Sequence, residues 1–312
     1  VKSETLRVFP RVEADFVVPS AEGCTPLRVQ LTNPTPSSAY RYQWNLGPGR
    51  PVETTADPTE QVYENTLSPL DVLTVPVSLT VALAAHPECV ASRQKTLTVY
   101  PAVRAGFTLP QLQGCHPLEL TPTNTTEAYQ GRAEYRWEVT GQDVQTVPAP
   151  TLTLRNPSHT ASLPLSVRLT AISAHGCEGV QEQTVTVFPQ PRAGFKLKGG
   201  LNMHCAPYDA ELEDNAEGAG LRYTYTWGDG SQPESVQPPA PARHSFTNPS
   251  EEQRAYPIAQ RVVSRDGCEA VATQMLYVFP QVTAAFALRP QAAGCSPFAP
   301  EIENGSLNAD QY

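Results

Sequence analysis

The sequence predicts an all-β chain folded as a tandem, extended array of sandwich domains. Three observations carry this expectation: an internal repeat, stretches of alternating polar and apolar residues, and a composition poor in helix formers. Of 312 residues, 32 are proline and only 17% are charged, against usual shares of about 5% and 25%. Such a mix disfavours a helical bundle or coiled coil. Disorder is disfavoured too, because apolar residues reach 40% and recur at even intervals. No apolar run approaches the roughly 18 residues of a membrane-spanning helix, and a net charge of −9 argues against nucleic acid or an anionic bilayer as partner. Val1 does not open a charged segment with an apolar core behind it, so a signal peptide is expected to be absent or removed.

The repeat is read from residues in fixed order. Val8-Phe9-Pro10, Val99-Tyr100-Pro101, Val187-Phe188-Pro189 and Val278-Phe279-Pro280 place their aromatics 91, 88 and 91 residues apart. After each comes Ala-x-Phe, ending at Phe16, Phe107, Phe195 and Phe286. Cys-x-Pro follows at Cys24, Cys115, Cys205 and Cys295, then an Asn at Asn33, Asn124, Asn215 and Asn304. Tyr-x-Trp comes next, ending at Trp44, Trp137 and Trp227, and a second cysteine closes each repeat at Cys89, Cys177 and Cys268. The expected organisation is the last strand of a preceding repeat over 1–10, whole repeats over 11–101, 102–189 and 190–280, and the start of a further repeat over 281–312. The chain thus reads as a piece of a longer array.

Within a repeat, Ser78 to Leu83 and Thr184 to Phe188 alternate polar and apolar residues, which sets one face in a core and one in water. Asn33-Pro34, Asn156-Pro157 and Asn248-Pro249 mark turns between such stretches. Strands are expected near 27–32, 40–46, 77–84 and 93–100 and at equivalents shifted by the repeat interval. About seven short strands, one Trp and a cysteine near each end of the repeat indicate a β-sandwich of immunoglobulin-like type. Its core is expected to hold Phe16, Trp44, Phe107, Trp137, Phe195, Trp227 and Phe286. Only about four residues, often Pro or β-branched, join one repeat to the next, which predicts a stiff rod gaining roughly 35–40 Å per repeat.

At Tyr225-Thr226-Trp227-Gly228-Asp229-Gly230 the chain resembles the signature of PKD (polycystic kidney disease) domains. With the Ala-x-Phe, Cys-x-Pro, second cysteine and terminal Val-x-Pro, it is similar to the disulfide-bearing PKD repeats of large secreted bacterial surface proteins, such as gliding-motility adhesins of the Bacteroidota. The signature turn departs from the pattern in two repeats, at Trp44-Asn45-Leu46-Gly47 and Trp137-Glu138-Val139-Thr140. The resemblance implies a non-catalytic, extracellular or cell-surface spacer, filament, stalk or adhesin. Its expected partners are neighbouring repeats, with other filament subunits, surface glycan or a cell-envelope anchor as further candidates. A carbohydrate-binding module and a spacer beside a secreted hydrolase are the alternatives.

Single residues point the same way. His116, His175 and His204 lie near cysteines, but adjacent residues of an extended segment face opposite sides, so they read as loop histidines and no metal or other cofactor is expected. Asp229 between glycines reads as a turn rather than a calcium ligand, its carboxylate company being limited to Glu211, Glu213 and Asp214. Glu251-Glu252 reads as solvated, and no serine or His–Glu pair has catalytic spacing, so no catalytic residue is expected. The sequons at Asn124 and Asn304 are too short a motif to weigh. Arg41, Arg136 and Arg222, in or just before the Tyr-x-Trp segment, are expected to point outward, though arginine beside aromatics can also bind sugars or partners.

Seven cysteines, Cys24, Cys89, Cys115, Cys177, Cys205, Cys268 and Cys295, fit an oxidising compartment. Two pairings compete. Parity inside each repeat gives Cys24–Cys89, Cys115–Cys177 and Cys205–Cys268. A staggered register gives Cys24–Cys177 and Cys115–Cys268, because the two cysteines of one sandwich are expected about 25 Å apart and a disulfide spans Cα separations up to about 7 Å.

Overall fold

The structure is a computed structural model that describes residues 2–50, 52–237, 240–289 and 293–308. Val1 of the expected leading strand and 290–292 and 309–312 of the expected fourth repeat therefore lie outside the described residues. The chain is all-β, in immunoglobulin-like sandwiches; among the described residues the only helical piece is a single 3-10 turn at Tyr129–Gly131. It divides into two compact units, Val1–Gln111 with Leu120–Leu152 and Leu165–Val185, and Leu112–Glu119 with Thr153–Pro164 and Thr186–Tyr312.

In the first unit, a four-stranded sheet runs in the order Glu22–Cys24, Val90–Tyr100, Leu73–Leu83, Tyr40–Asn45. The outermost pairing, of Glu22–Cys24 with the end of Val90–Tyr100, is parallel; the others are antiparallel. Facing it, Leu27–Val29 pairs with Gln61–Tyr63. Alternation along Leu73–Leu83 buries Val75, Val77, Leu79 and Val81, and the far half of Val90–Tyr100 buries Leu97 and Val99. These close over Trp44, which is fully buried, meets Phe16 edge-on at 5.3 Å and donates its indole N–H to the Thr55 carbonyl at 3.2 Å. The second repeat contributes the same pieces: Ala133–Val139 pairs antiparallel with Leu163–Ser173, Phe107 meets Trp137 at 5.0 Å, and the Trp137 indole reaches Val147 at 3.1 Å.

In the second unit, Met203–Cys205, Glu269–Phe279, Arg254–Val263, Arg222–Thr226 and Glu234–Val236 form one sheet, and Phe195–Leu197, Tyr208–Asp214 and Ala242–Phe246 the facing one. Trp227 is buried between them, edge-on to Phe246 at 6.1 Å. The Ala-x-Phe segment of the first three repeats is tied down by a long side chain from the last strand. Lys95 donates to the Phe16 carbonyl, Gln183 to that of Phe107 at 2.8 Å and Gln274 to that of Phe195 at 2.6 Å.

Phe286 departs from the expected core. It is 71% exposed, because among the described residues its repeat provides only the pair Phe286–Arg289 and Glu301–Asn304, with no facing sheet to close over it.

Candidate functional site: the cystine junctions

Three of the four Cys-x-Pro cysteines end a three-residue strand laid parallel to the last strand of their own repeat. Cys24 stands opposite Tyr100, Cys115 opposite Phe188 and Cys205 opposite Phe279. The next residue continues the ladder, with Thr25, His116 and Ala206 donating to the carbonyls of Tyr100, Phe188 and Phe279, each at 3.0 Å. The x–Pro bond that follows is cis in all four repeats.

The second cysteine of a repeat sits in the turn that precedes its last strand. Cys177 is buried where its carbonyl accepts from Ser173 N–H at 2.8 Å and its own N–H donates to the Ser173 hydroxyl at 3.1 Å. Cys268 repeats this with Ser264, at 2.8 and 3.1 Å. Gly176 and Gly267 turn the chain at φ of +78° and +85°, a region open to glycine without steric penalty.

These placements decide the pairing. Within a repeat the two cysteines stand at opposite ends of one 11-residue strand, Val90–Tyr100, Glu178–Phe188 or Glu269–Phe279, about 36 Å apart at 3.3 Å per residue. The pairs Cys24–Cys89, Cys115–Cys177 and Cys205–Cys268 are therefore out of reach. The bonds present are Cys24–Cys177 and Cys115–Cys268, with Cα separations of 5.4 and 5.6 Å and the same sequence separation of 153. Cys89, Cys205 and Cys295 carry no disulfide.

Around Cys24–Cys177 the contact is apolar and aromatic. Val103, Ala128, Ala171 and Cys177 form a buried cluster, with Cys24, Tyr100, Ala105, Ala133 and Tyr135 packed against it. The Tyr100 ring stacks on His175 with centroids 3.7 Å apart, and its hydroxyl donates to the Glu22 carboxylate at 3.0 Å. Desolvation first, then that bond to Glu22, pushes the Tyr100 phenol up from its ordinary value. Gly179 admits the Val103 backbone so closely that a Cβ there would overlap the Val103 carbonyl. At Cys115–Cys268, the Gln190 amide donates to the Glu269 carbonyl beside the disulfide.

The other sequence-marked residues lie apart from these junctions or serve them. His116 accepts the Asn156 backbone N–H at 2.9 Å through Nδ1, and His204 stacks on Tyr208 at 3.6 Å. Among the described residues no three His, Cys, Asp or Glu side chains gather as a metal site would require. Glu211 pairs with Lys198 and Arg243 at 2.8 and 2.9 Å, while Glu213, Glu251 and Glu252 are exposed. Asp214 accepts from Gln260 at 2.9 Å. Arg41, Arg136 and Arg222 are exposed on their strands, Arg136 pairing with Glu138 at 2.8 Å. The repeating Asn124 and Asn304 accept backbone N–H bonds from Thr126 and Ser306 two residues on.

Asp229 holds the signature turn of the third repeat. Its Oδ1 accepts from the Ser231 N–H at 3.0 Å and hydroxyl at 2.6 Å, and its Oδ2 meets His244 Nε2 at 2.7 Å. Burial pushes this carboxyl upward, but the bonds from Ser231 and His244 outweigh it and bring the pKa down from 3.8 to about 2. A depressed folded pKa stabilises the fold above the unfolded value and ceases to as pH falls through the folded one. Wild type is therefore expected to lose more stability between pH 4 and pH 2 than Asp229→Asn, measured by urea unfolding; parallel losses would show that the bonds contribute nothing.

Sequence patterning did not mark two sets of residues. One is Lys95, Gln183 and Gln274, which share a role but not a residue type. The other is Asn65, Asn156 and Asn248, whose amides donate to the carbonyls of Val99, Val187 and Val278 at 2.9, 2.8 and 2.7 Å. The dipeptides Asn156-Pro157 and Asn248-Pro249 showed a turn but not this clamp.

The chain matches no protein-family model and no curated protein. Among solved structures it is similar to the protocadherin gammaB7 EC3-6 cis-dimer at 10% identity, covering 89% of this chain and 77% of that one with a TM-score of 0.28. The ICAM-5 D1-D4 ectodomain fragment gives 10% identity, 85% and 76% coverage and a TM-score of 0.40. Mouse cadherin-23 EC22-24 gives 13%, 84%, 95% and 0.29. Nothing about activity or partners follows from similarity at this level.

Proposed function

We propose that this chain is a non-catalytic, tension-bearing segment of a long extracellular filament, stalk or adhesin, built from PKD-like repeats of the kind found in secreted bacterial surface proteins such as gliding-motility adhesins. One observation carries the reading: each disulfide joins the Cys-x-Pro of one repeat to the strand turn of the next, and it does so twice at the same separation of 153 residues. A domain stabilising itself would close its loop internally; a bond to the neighbour holds repeats together under load. Disulfides persist in oxidising compartments, which supports a place outside the cytosol. The partners in this reading are neighbouring repeats first, then other filament subunits or a cell-envelope anchor, and the short Pro-containing junctions keep the array stiff.

A second reading, a carbohydrate- or surface-binding module, is favoured by an open depression of 440 Å³ on the first repeat lined by Tyr40, Arg41, Tyr42, Gln43 and Thr54. Immunogold labelling of intact source cells and a glycan array separate the two. The stalk reading expects label on the cell exterior or its appendages and no glycan bound. Label confined to the cytosol overturns it, and glycan binding lost in Arg41→Ala replaces it with the module.

A further inference from the structure

Cys89 and Cys205 occupy, in their own repeats, the positions that are bonded elsewhere. Cys89 lies in the turn before Val90–Tyr100, its carbonyl accepting from Leu83 N–H at 3.1 Å, as Cys177 and Cys268 accept from Ser173 and Ser264 at 2.8 Å. Cys205 ends the parallel strand opposite Phe279, as Cys24 and Cys115 end theirs opposite Tyr100 and Phe188.

Around Cys89 half of a junction is already assembled. Phe9 stacks on His86 with ring centroids 3.6 Å apart, matching the Tyr100–His175 stack at 3.7 Å. Tyr100 is the residue that stands opposite Cys24, the partner of Cys177. By the repeat, Phe9 corresponds to Tyr100, Leu6 to Leu97 and Val8 to Val99. Leu97 and Val99 are fully buried in their sandwich, whereas Leu6 and Val8 are 87% and 83% exposed. Residues 2–10 form no strand in this structure, yet their alternating pattern, bare apolar side chains and seat at the Cys89 turn match the last strand of a repeat, and a repeat ending there would place its Cys-x-Pro cysteine beside Phe9.

We infer that Cys89 and Cys205 are each one half of a further staggered disulfide, Cys89 with the Cys-x-Pro cysteine of one flanking repeat and Cys205 with the turn cysteine of another. The inference deepens the proposed function by naming the partner of each cysteine, and it rests on the reading of the chain as an array of repeats. Each bond forms by thiol–disulfide exchange: two thiols yield two protons and two electrons to a protein disulfide oxidant, whose own disulfide becomes two thiols. In the completed register a covalent path runs from the turn cysteine of one repeat to the Cys-x-Pro of the next, as from Cys177 to Cys205, then crosses to the repeat after that. About 28 residues, or roughly 95 Å of extended chain, then span two repeats. Tension follows the last strand and the Ala-x-Phe segment and bypasses the rest of each sandwich.

The test is a cystine map of the protein recovered from its source cells, with thiols alkylated at harvest and no reductant added. Cys89 and Cys205 are expected to escape alkylation. The Cys89 peptide is expected joined to a Cys-x-Pro peptide from outside residues 1–312, and the Cys205 peptide to a turn-cysteine peptide from outside them. An alkylated Cys89 or Cys205, a small-thiol adduct, or a Cys89–Cys205 link between two copies overturns the inference. Failure of the stalk reading appears elsewhere, in the cellular location, and leaves this map unchanged.

Discussion

Pulled from its two ends in oxidising buffer, the chain is expected to extend to the length of about 130 residues, roughly 450 Å, and to about 1,090 Å after reduction. With Cys24–Cys177 and Cys115–Cys268 both closed, the shortest covalent route runs from the start to Cys24, crosses to Cys177, returns along the chain to Cys115, crosses to Cys268 and continues to the end. Every residue off that route is shielded from force, whatever happens to the sandwiches. Three disulfides closed within repeats would give a similar limit, so a variant has to separate the registers. In Cys115→Ser/Cys268→Ser only Cys24–Cys177 remains, and the limit rises to about 160 residues, near 550 Å. Had Cys24 paired with Cys89, the same variant would reach about 250 residues, near 860 Å. Single-molecule stretching resolves that difference of about 300 Å, and an extension near the longer value would show that the staggered bond is not made in solution.

The same geometry explains what could and could not be read from the sequence. The repeat placed Trp44, Trp137 and Trp227 at equivalent positions, and all three are buried. Strands expected near 40–46 and 93–100 are observed at Tyr40–Asn45 and Val90–Tyr100, while the one expected to begin at 77 begins at Leu73. Pro76 obscured that start, since proline inside a strand breaks a ladder. Here Tyr40–Asn45 has already ended, with Asn45 opposite Ser78, so Pro76 lies beyond it and its missing N–H can face that open side. Pro257 lies likewise beyond Thr226, which is opposite Ala259. Gly228 fits against Pro257 there, with no room for a Cβ. The cysteine register stayed open in the sequence because it depends on a parallel pairing between Glu22–Cys24 and a strand about 75 residues later, which periodicity does not reveal.

Replacing Asn156 by alanine is expected to destabilise the second unit by about 3 kcal/mol, from carbonyls that lose their donor at roughly 1–3 kcal/mol each. Asn156 is 2% exposed, and its amide donates to Val187 at 2.8 Å and Ala161 at 2.9 Å while its oxygen accepts from Ser158 N–H at 3.0 Å. Val187 belongs to the strand end that carries Phe188, opposite Cys115. The clamp therefore fixes the segment on which the Cys115–Cys268 bond is built, joining a turn residue to the junction. Aspartate in its place retains the acceptor but lacks the donors, so Asn156→Asp should lose nearly as much at neutral pH. Asn248→Ala should match it, because Asn248 makes the same three bonds at 4% exposure. Asn65→Ala should lose less, since Asn65 is only half-buried and water can replace its amide. Urea unfolding gives the total, and hydrogen exchange along Glu178–Phe188 gives the local effect. A loss under about 1 kcal/mol for Asn156→Ala, or equal losses at all three positions, would show that the amide closes a turn and does not hold the strand.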